Sequence, residues 1–213
     1  MTLTFEFMWA VVTFSFGMAF TPGPNNTVAF STGLNYGFFR TIPYGLGVAT
    51  GLPLLILAVA LGLGEFFRAF PQSYDYIKYA GIAYIVYLSW KIATADPRQN
   101  RSEKNVPAQA SAVGNLDKPD KCPAFSDGVL FQWMNPKAWL LAVTGATTYI
   151  GQDTLSVKLA FFCGMFSFMS FASLVAWSFG GELSGRLIRS PRVFRTMNIL
   201  MGILLLSSVI SLL

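Results

Sequence analysis

The chain places polar residues at two points inside long apolar runs. The two clusters consist of Thr21, Pro22, Gly23, Pro24, Asn25 and Asn26, and of Gln132, Asn135, Pro136 and Lys137. Amide side chains both donate and accept hydrogen bonds, and a lysine inside an apolar segment is costly enough to indicate a function. These ten residues are the predicted substrate-binding residues, in which Lys137 binds a carboxylate or exchanges a proton.

Both clusters also contain residues that interrupt helices. Proline lacks the backbone donor and clashes with the carbonyl one turn back, and Gly23 permits dihedrals closed to other residues. We expect each helix to unwind here, which frees carbonyls and exposes the positive N-terminus of the next half-helix to an anion. The alternatives are a simple packing kink at the prolines and, for Lys137, a hydrogen bond to carbonyls of the opened helix or a reach to the membrane interface.

The segments that carry these clusters have the composition of a membrane protein. Of 213 residues, 54% are hydrophobic and 12% are charged, and the mean hydropathy is +0.52. The apolar runs are continuous and not alternating, which favours helices over a barrel. We therefore predict an all-α polytopic fold with six spans, most of them near the roughly 20 residues that a bilayer-spanning helix needs, the third and the sixth being short. They are Phe5–Leu34, Thr41–Leu63, Tyr74–Ile92, Phe125–Tyr149, Leu155–Phe179 and Met197–Leu213.

The sequence divides into two similar halves. Residues 95–122 form a polar linker between residues 1–94 and 123–213, and a shift of 112 residues places Pro136 on Pro24 and Gly145 on Gly33. Three spans in each half would make the second half inverted relative to the first. The prediction is two inverted three-helix repeats, each with a broken first helix, an arrangement typical of secondary transporters.

Basic residues predict the orientation. Arg40, Lys91, five basic residues of the linker and four between Arg186 and Arg195 would face one side, eleven in all, against Arg68, Lys78 and Lys158 on the other. The positive-inside rule then places the linker in the cytoplasm and both termini outside. The net charge of +5 is attributed to these loops and not to nucleic-acid binding. Because the first residues carry no basic charge, only Glu6, and the first run continues past its break, we expect a retained helix and not a cleaved signal peptide.

Several classes of chemistry are disfavoured. The absence of histidine argues against the usual Ser-His-Asp and Cys-His sites and against histidine-bound metals, so we predict no enzyme, cofactor or metal. A thiol-disulfide electron carrier remains an alternative, although Cys122 and Cys163 do not superimpose in the repeat. A structural or partner-binding membrane subunit is a further alternative, which gives the buried polar clusters no purpose.

Several stretches closely resemble the lysine-exporter (LysE/RhtB) family of bacterial amino-acid efflux proteins. They are "TPGPNN", "YAGIAYIVYLSWKIA" from Tyr79 to Ala93 and "NPKAW" in the fourth span. The resemblance implies a multi-pass exporter in the cytoplasmic membrane, driven by protons, able to form a homo-oligomer and binding an amino acid at the two clusters. The stretch "AYIVYLSWKIAT" is most similar to the cysteine and O-acetylserine branch, with homoserine and threonine exporters nearby.

One position departs from the family pattern. Many members carry an acid just after the second-span glycine, whereas here Gly51 is followed by Leu52 and Pro53. Without that carboxylate, the resemblance favours a neutral amino acid over a basic one and leaves the proton-coupling residue unassigned. Gly47 and Gly51 form a small-xxx-small pair, which predicts close contact with another helix.

Overall fold

The fold consists of α-helices throughout the described residues. A computed structural model describes residues 3–63, 69, 71–95, 122–150, 156–188, 190–207 and 209. Short π-helical turns at Val59–Leu63 and Ala146–Ile150 extend the third and sixth helices. The eight α-helices are α1 (Phe5–Phe20), α2 (Pro24–Tyr36), α3 (Phe38–Ala58), α4 (Pro71–Ala93), α5 (Phe125–Met134), α6 (Pro136–Gly145), α7 (Val157–Leu187) and α8 (Pro191–Ser207). The all-α prediction is confirmed for these ranges.

Both predicted interruptions are present. The first apolar run forms α1 and α2, and the fourth forms α5 and α6, so each is two helices and not one. Pro24 and Pro136 occupy the first position of the second helix of each pair, where a missing N–H costs nothing. Asn135 is the single extended residue between α5 and α6. The prolines thus both end one helix and start the next.

Two clusters of buried apolar side chains lie on opposite sides of the interruptions. The first joins α1 and α6 to the C-terminal half of α3 and the N-terminal half of α7, with Val11, Ile56 and Phe162 at its centre. The second joins α2 and α5 to the other halves of α3 and α7, and it also includes residues of α4 and α8. The interruptions therefore lie in the layer between two packed cores.

α3 passes through this layer without breaking, although it contains Pro53. Proline cannot donate to the carbonyl four residues earlier, and the Ala49 carbonyl oxygen instead accepts a hydrogen bond of 2.7 Å from the Ser167 hydroxyl of α7. A polar residue of α7 thus replaces the missing backbone donor. This contact helps to hold α3 and α7 together beside the interruptions.

The distribution of residues is that of a protein in lipid. Large apolar side chains such as Phe39 and Trp90 are exposed, whereas Gln132 and Asn198 are fully buried. Among the described helices, Phe38–Leu63 and Val157–Leu187 are long and apolar enough to cross a bilayer. The count of six spans, the inverted repeat and the division at residues 95–122 stay predictions, and most of that linker, residues 96–121, lies outside the described residues.

Candidate functional site

The two interruptions meet in the middle of the bundle. The Asn25 amide donates to Gln132 Oε1 at 3.0 Å, and the Gln132 amide donates back to Asn25 Oδ1 at 3.3 Å. Lys137 Nζ donates to the Thr21 carbonyl oxygen at 3.0 Å. Side chains from the second interruption thus bind both the side chain and the backbone of the first. The Lys137 contact matches the alternative in which the ammonium binds a carbonyl of the opened helix.

Asn26 closes the end of α1. Its Nδ2 donates to the carbonyl oxygens of Ala19 at 2.8 Å and Thr21 at 3.0 Å. The Ser173 hydroxyl of α7 donates to the same Ala19 oxygen at 2.8 Å. These bonds satisfy carbonyls that the interruption leaves without helical partners. Asn26 is 4% exposed, and its side-chain amide already donates to these two carbonyl oxygens. Its role in this structure is therefore to stabilise the end of α1.

The second interruption is closed in a similar way. Asn135 Oδ1 accepts a hydrogen bond of 3.1 Å from the backbone N–H of Lys137, as an N-cap residue of α6 should. The indole N–H of Trp139 donates to the Trp133 carbonyl oxygen at 2.8 Å. These bonds fix the direction in which α6 begins. They therefore also fix the position from which Lys137 extends.

A cavity of about 40 Å³ lies between the interruptions, and we call it the Lys137 cavity. This is room for about three water molecules. Seven of the ten predicted site residues line it: Gly23, Pro24, Asn25, Asn26, Gln132, Asn135 and Lys137. Thr21 contributes its carbonyl through Lys137, whereas Pro22 and Pro136 do not line the cavity. The two prolines shape the backbone without facing the space.

Gly23 brings the backbone close to Lys137. A Cβ added at Gly23 would lie 3.3 Å from both Cδ and Nζ of Lys137. Its backbone is extended, with φ of −173°, so the close approach and not the dihedral favours glycine here. The cluster "TPGPNN" therefore provides a turn that is narrow enough for the lysine to lie against it.

The structure adds residues that the sequence did not point to. The apolar wall of the Lys137 cavity includes Val48 and Leu52 from α3 and Leu174 from α7. Tyr44, which is 1% exposed, donates its hydroxyl to Asn25 Oδ1 at 3.2 Å. The one feature of the sequence that could have indicated Tyr44 is that its hydroxyl lies within the apolar second span.

A basic side chain lines this cavity. Among the described residues that line it, Lys137 is the charged one, and it is half-buried. Leu52, the residue after Gly51, forms part of the wall where a carboxylate would face the same space. When Lys137 is protonated, a carboxylate is attracted to this cavity and a second cation is repelled.

Comparison with known proteins identifies the family. The profile of the LysE type translocators matches residues 16–213. The chain belongs to the LysE family. Members of this family are efflux transporters of the inner membrane and not enzymes, so the predicted absence of enzymatic activity is confirmed by family membership. The membership supports amino-acid export by this LysE-family protein.

Curated relatives are similar along nearly the whole chain. The LysE-family protein is 28% identical over 198 residues to a protein of Escherichia coli O157:H7 named cysteine/O-acetylserine efflux protein, and the match covers 91% of each chain. It is also 28% identical over 197 residues to the protein of that name from Escherichia coli K12, covering 91% of this chain and 90% of the relative. No solved structure matches the chain.

The positions of the two cysteines argue against the thiol-disulfide carrier. Cys122 Sγ lies 3.2 Å from the Arg40 carbonyl oxygen, and Cys163 Sγ lies 3.9 Å from that of Pro53. Arg40 and Pro53 are 13 residues apart on α3, or about 20 Å along its axis. A disulfide needs Cα atoms within about 7 Å of one another. Burial also raises the pKa of the Cys122 thiol to about 11, so it is protonated at neutral pH.

The double variant Cys122→Ser/Cys163→Ser is expected to export amino acids at the wild-type rate. Neither sulfur lines the Lys137 cavity, and each donates only a weak bond to a backbone carbonyl that serine can replace. Export of radiolabelled amino acid from cells, normalised to the amount of protein in the membrane, measures the rate. A loss of export in the double variant, with normal protein amounts, would contradict this prediction and favour the thiol-disulfide mechanism.

Proposed function

We propose that this LysE-family protein is a secondary transporter that exports a neutral amino acid through the Lys137 cavity in exchange for protons. The observation that carries the proposal is the meeting of two broken helices around one lysine and several amides. Interrupted helices that meet within a membrane protein are a common way to build a transporter site. A structural subunit would have no use for this polar centre.

Lys137 is proposed to bind the carboxylate of the amino acid. Its ammonium already donates to the Thr21 carbonyl oxygen, and a carboxylate is a stronger acceptor than a carbonyl. The N-termini of α2 and α6 both begin at the interruptions, and their dipoles favour an anion there. Asn25 and Gln132, which now bind each other, would offer their amide groups to the remainder of the amino acid.

Transport requires the interruptions to separate. An amino acid with six or more heavy atoms needs more room than a cavity of about 40 Å³ offers. The bonds between the interruptions are the Lys137–Thr21 contact and the Asn25–Gln132 pair, and we propose that the amino acid replaces them. The packed cores on the two sides of this layer would then part in turn, so that the site opens to one side at a time.

A neutral substrate fits the charge of the site. Leu52 faces the cavity, and no carboxylate is among the described residues that line it, so a cationic side chain would find no partner there. The relatives named for cysteine and O-acetylserine support the same class. Homoserine and threonine are similar in size and charge. A basic amino acid is the less favoured alternative.

We propose that the proton motive force drives export and that Lys137 exchanges the coupled proton. The side-chain amine of Lys137 lies in the layer between the two cores. Protonation of this amine would strengthen its attraction for a carboxylate, and loss of the proton would weaken it. In the proposed topology the chain crosses the inner membrane six times, with both termini outside.

Everted membrane vesicles test the direction and the driving force. With the cytoplasmic face outward, wild-type vesicles energised by respiration are expected to accumulate radiolabelled O-acetyl-L-serine, because export is directed into the lumen. A protonophore is expected to abolish the accumulation, whereas inhibition of ATP hydrolysis is expected to leave it unchanged. Vesicles without the protein serve as the control.

The amino acids carried can be identified by competition in the same vesicles. Unlabelled cysteine, homoserine and threonine are expected to reduce the uptake of the label, and lysine and arginine are expected to leave it unchanged. Accumulation that survives the protonophore would contradict proton coupling. Competition by lysine would instead indicate the basic-amino-acid alternative.

A further inference from the structure

A second and larger cavity lies beside the first. It has a volume of about 410 Å³, and its wall is formed by α2, the first half of α3, α4 and the beginning of α5. Ala95, the first residue of the predicted linker, and Pro123, which follows its last residue, also line it. We call it the Ser31 chamber, after a residue of its wall whose hydroxyl has no hydrogen-bond partner among the described residues. Its size is within the range of small-molecule sites.

Ser31 is a buried hydroxyl that lacks a partner. The residue is 3% exposed, and its Oγ has no hydrogen-bond partner among the described residues. Its neighbours on the chamber wall are satisfied: Thr32 donates to the Val28 carbonyl oxygen at 2.7 Å, and Asn35 donates to the Ser31 carbonyl oxygen at 2.7 Å. The Oγ itself has almost no accessible surface, so a molecule in the chamber reaches it only when the Ser31 side chain rotates. A buried hydroxyl without a partner is costly, and this rotation toward a bound molecule would supply the missing bond.

The chamber contains groups of both charges. Lys91 of α4 and Asp127 in the first turn of α5 line it together, beside the ring of Tyr84. One Asp127 oxygen accepts a hydrogen bond of 2.8 Å from the Ala124 backbone. An amino-acid zwitterion carries one charge of each sign within a few atoms. The charges of the chamber therefore suit both ends of that molecule.

Tyr44 connects the chamber to the Lys137 cavity. It lines the chamber, and its hydroxyl donates to Asn25, which lines the cavity. Gln132 shares the same Asn25 oxygen from the other side. The layer between the two spaces is thus a short hydrogen-bonded chain. Movement of Asn25 would open a way from one space to the other.

We propose that the Ser31 chamber is a loading site, in which an amino-acid zwitterion binds between Asp127 and Lys91 and accepts a hydrogen bond from Ser31 before it reaches Lys137. This inference rests on the proposed function. Ala95 and Pro123, at the two ends of the predicted linker, line the chamber, so the predicted orientation makes it the cytoplasmic site. The amino acid would pass from here to the Lys137 cavity when Tyr44 and Asn25 separate.

The first test is kinetic. In everted vesicles, Ser31→Ala is expected to raise the KM for O-acetyl-L-serine about threefold to tenfold, because the variant loses one hydrogen bond to the substrate. The maximal rate is expected to stay unchanged. Asp127→Asn is expected to raise the KM in the same direction. An unchanged KM in both variants, with normal wild-type uptake, would overturn the loading site and leave the proposed function intact. A wild type without uptake would instead refute the proposed function.

The second test detects binding without transport. Tyr87 lines the chamber and Tyr76 lies on the same helix outside it, and both side chains are exposed. In the Cys122→Ser/Cys163→Ser background, O-acetyl-L-serine is expected to slow the reaction of Tyr87→Cys with N-ethylmaleimide at least about twofold. Tyr76→Cys serves as the control and should be unaffected.

Single-charge compounds complete the labelling experiment. Propionate and ethylamine each carry one of the two charges of an amino acid, so neither is expected to protect Tyr87→Cys at the concentration at which O-acetyl-L-serine does. Equal labelling with and without O-acetyl-L-serine would overturn the proposal even where uptake is normal. Protection by ethylamine alone would also overturn it, because the chamber would then be a cation site.

Discussion

Lys137→Ala is expected to lower amino-acid export by roughly tenfold to 100-fold. The ammonium is the charged group of the Lys137 cavity among the described residues, and the proposed site binds the substrate carboxylate through it. A hydrogen bond to a charged group contributes about 1.5–3 kcal/mol, and each 1.4 kcal/mol is about a factor of ten. Initial rates of radiolabel accumulation in everted vesicles, normalised to protein amount, measure the loss.

The variant should still fold, which makes the loss specific. Lys137 is half-buried, and the Thr21 carbonyl oxygen that it binds also accepts a hydrogen bond from Asn26. Removal of the ammonium therefore leaves no carbonyl without a partner. The melting temperature of the purified protein in detergent should stay within a few degrees of the wild-type value.

A second lysine provides the control. Lys158 lies near the beginning of α7, with its ammonium 5.5 Å from the centre of the Phe7 ring and away from the cavity. Lys158→Ala removes the same charge from the chain and is expected to leave export unchanged. If Lys137→Ala exported as well as Lys158→Ala, then Lys137 would have a structural role and the proposed carboxylate site would be wrong.

The interruptions could be predicted from the sequence because they depend on local chemistry. Pro24 and Pro136 lack the backbone donor that a helix needs, and each follows a residue that favours a helix start, Gly23 or Asn135. Proline alone does not decide the break, since Pro53 lies inside the unbroken α3. That the two interruptions meet followed from a repeat pattern, and the contacts between Asn25 and Gln132 agree with it. The sequence therefore predicted the positions of the breaks and seven of the residues that line the cavity, but not its apolar wall.

The roles of adjacent residues could not be predicted in the same way. Asn25 and Asn26 are neighbours in the first turn of α2, and successive residues of a helix point about 100° apart. One amide therefore faces Gln132, while the other turns back to the carbonyls of α1. The rotation of α2 about its axis relative to α7 decides which of the two amides contacts Gln132. That rotation depends on the packing of many residues.

Tyr44 and Ser31 show the same limit. Tyr44 reaches Asn25 from 19 residues away. Ser31 has no hydrogen-bond partner for its hydroxyl among the described residues, although Thr27 and Thr32 of the same helix bond to carbonyls one turn back. Neither sequence position is unusual by itself. Their significance comes from their position in space, since both residues line the same chamber. A hydroxyl in an apolar segment is a signal, but packing decides whether it is used.

Gly47→Ala is expected to remove most of the folded protein from the membrane. α3 and α5 cross with their backbones in contact, and a Cβ at Gly47 would lie 2.0 Å from the Phe125 carbonyl oxygen and 3.0 Å from Gly128 Cα. Overpacking of a side chain costs about 1–3 kcal/mol, and a backbone cannot move aside as a side chain can. In the variant the two helices would have to separate. The distances themselves confirm the prediction that Gly47 is a position of close helix contact.

Separation at this crossing should also disturb the site. Gln132 donates to the Gly128 carbonyl oxygen at 3.0 Å, and a Cβ at Gly128 would lie 2.3 Å from the Tyr44 carbonyl oxygen. A shift of α5 away from α3 therefore moves Gln132 and Tyr44 apart. Any Gly47→Ala protein that still inserts is expected to lose export as well as stability.

Gly164→Ala is the matched control, because Gly164 lies within α7 and a Cβ there would meet nothing within 4 Å. The same added methyl group should be tolerated, and the higher helix propensity of alanine should stabilise α7 by up to about 1 kcal/mol. Protein amounts in membranes and melting temperatures in detergent compare the two variants. Equal melting temperatures would mean that α3 and α5 are not in backbone contact at Gly47, and the arrangement of Tyr44, Asn25 and Gln132 derived from that contact would have to be abandoned.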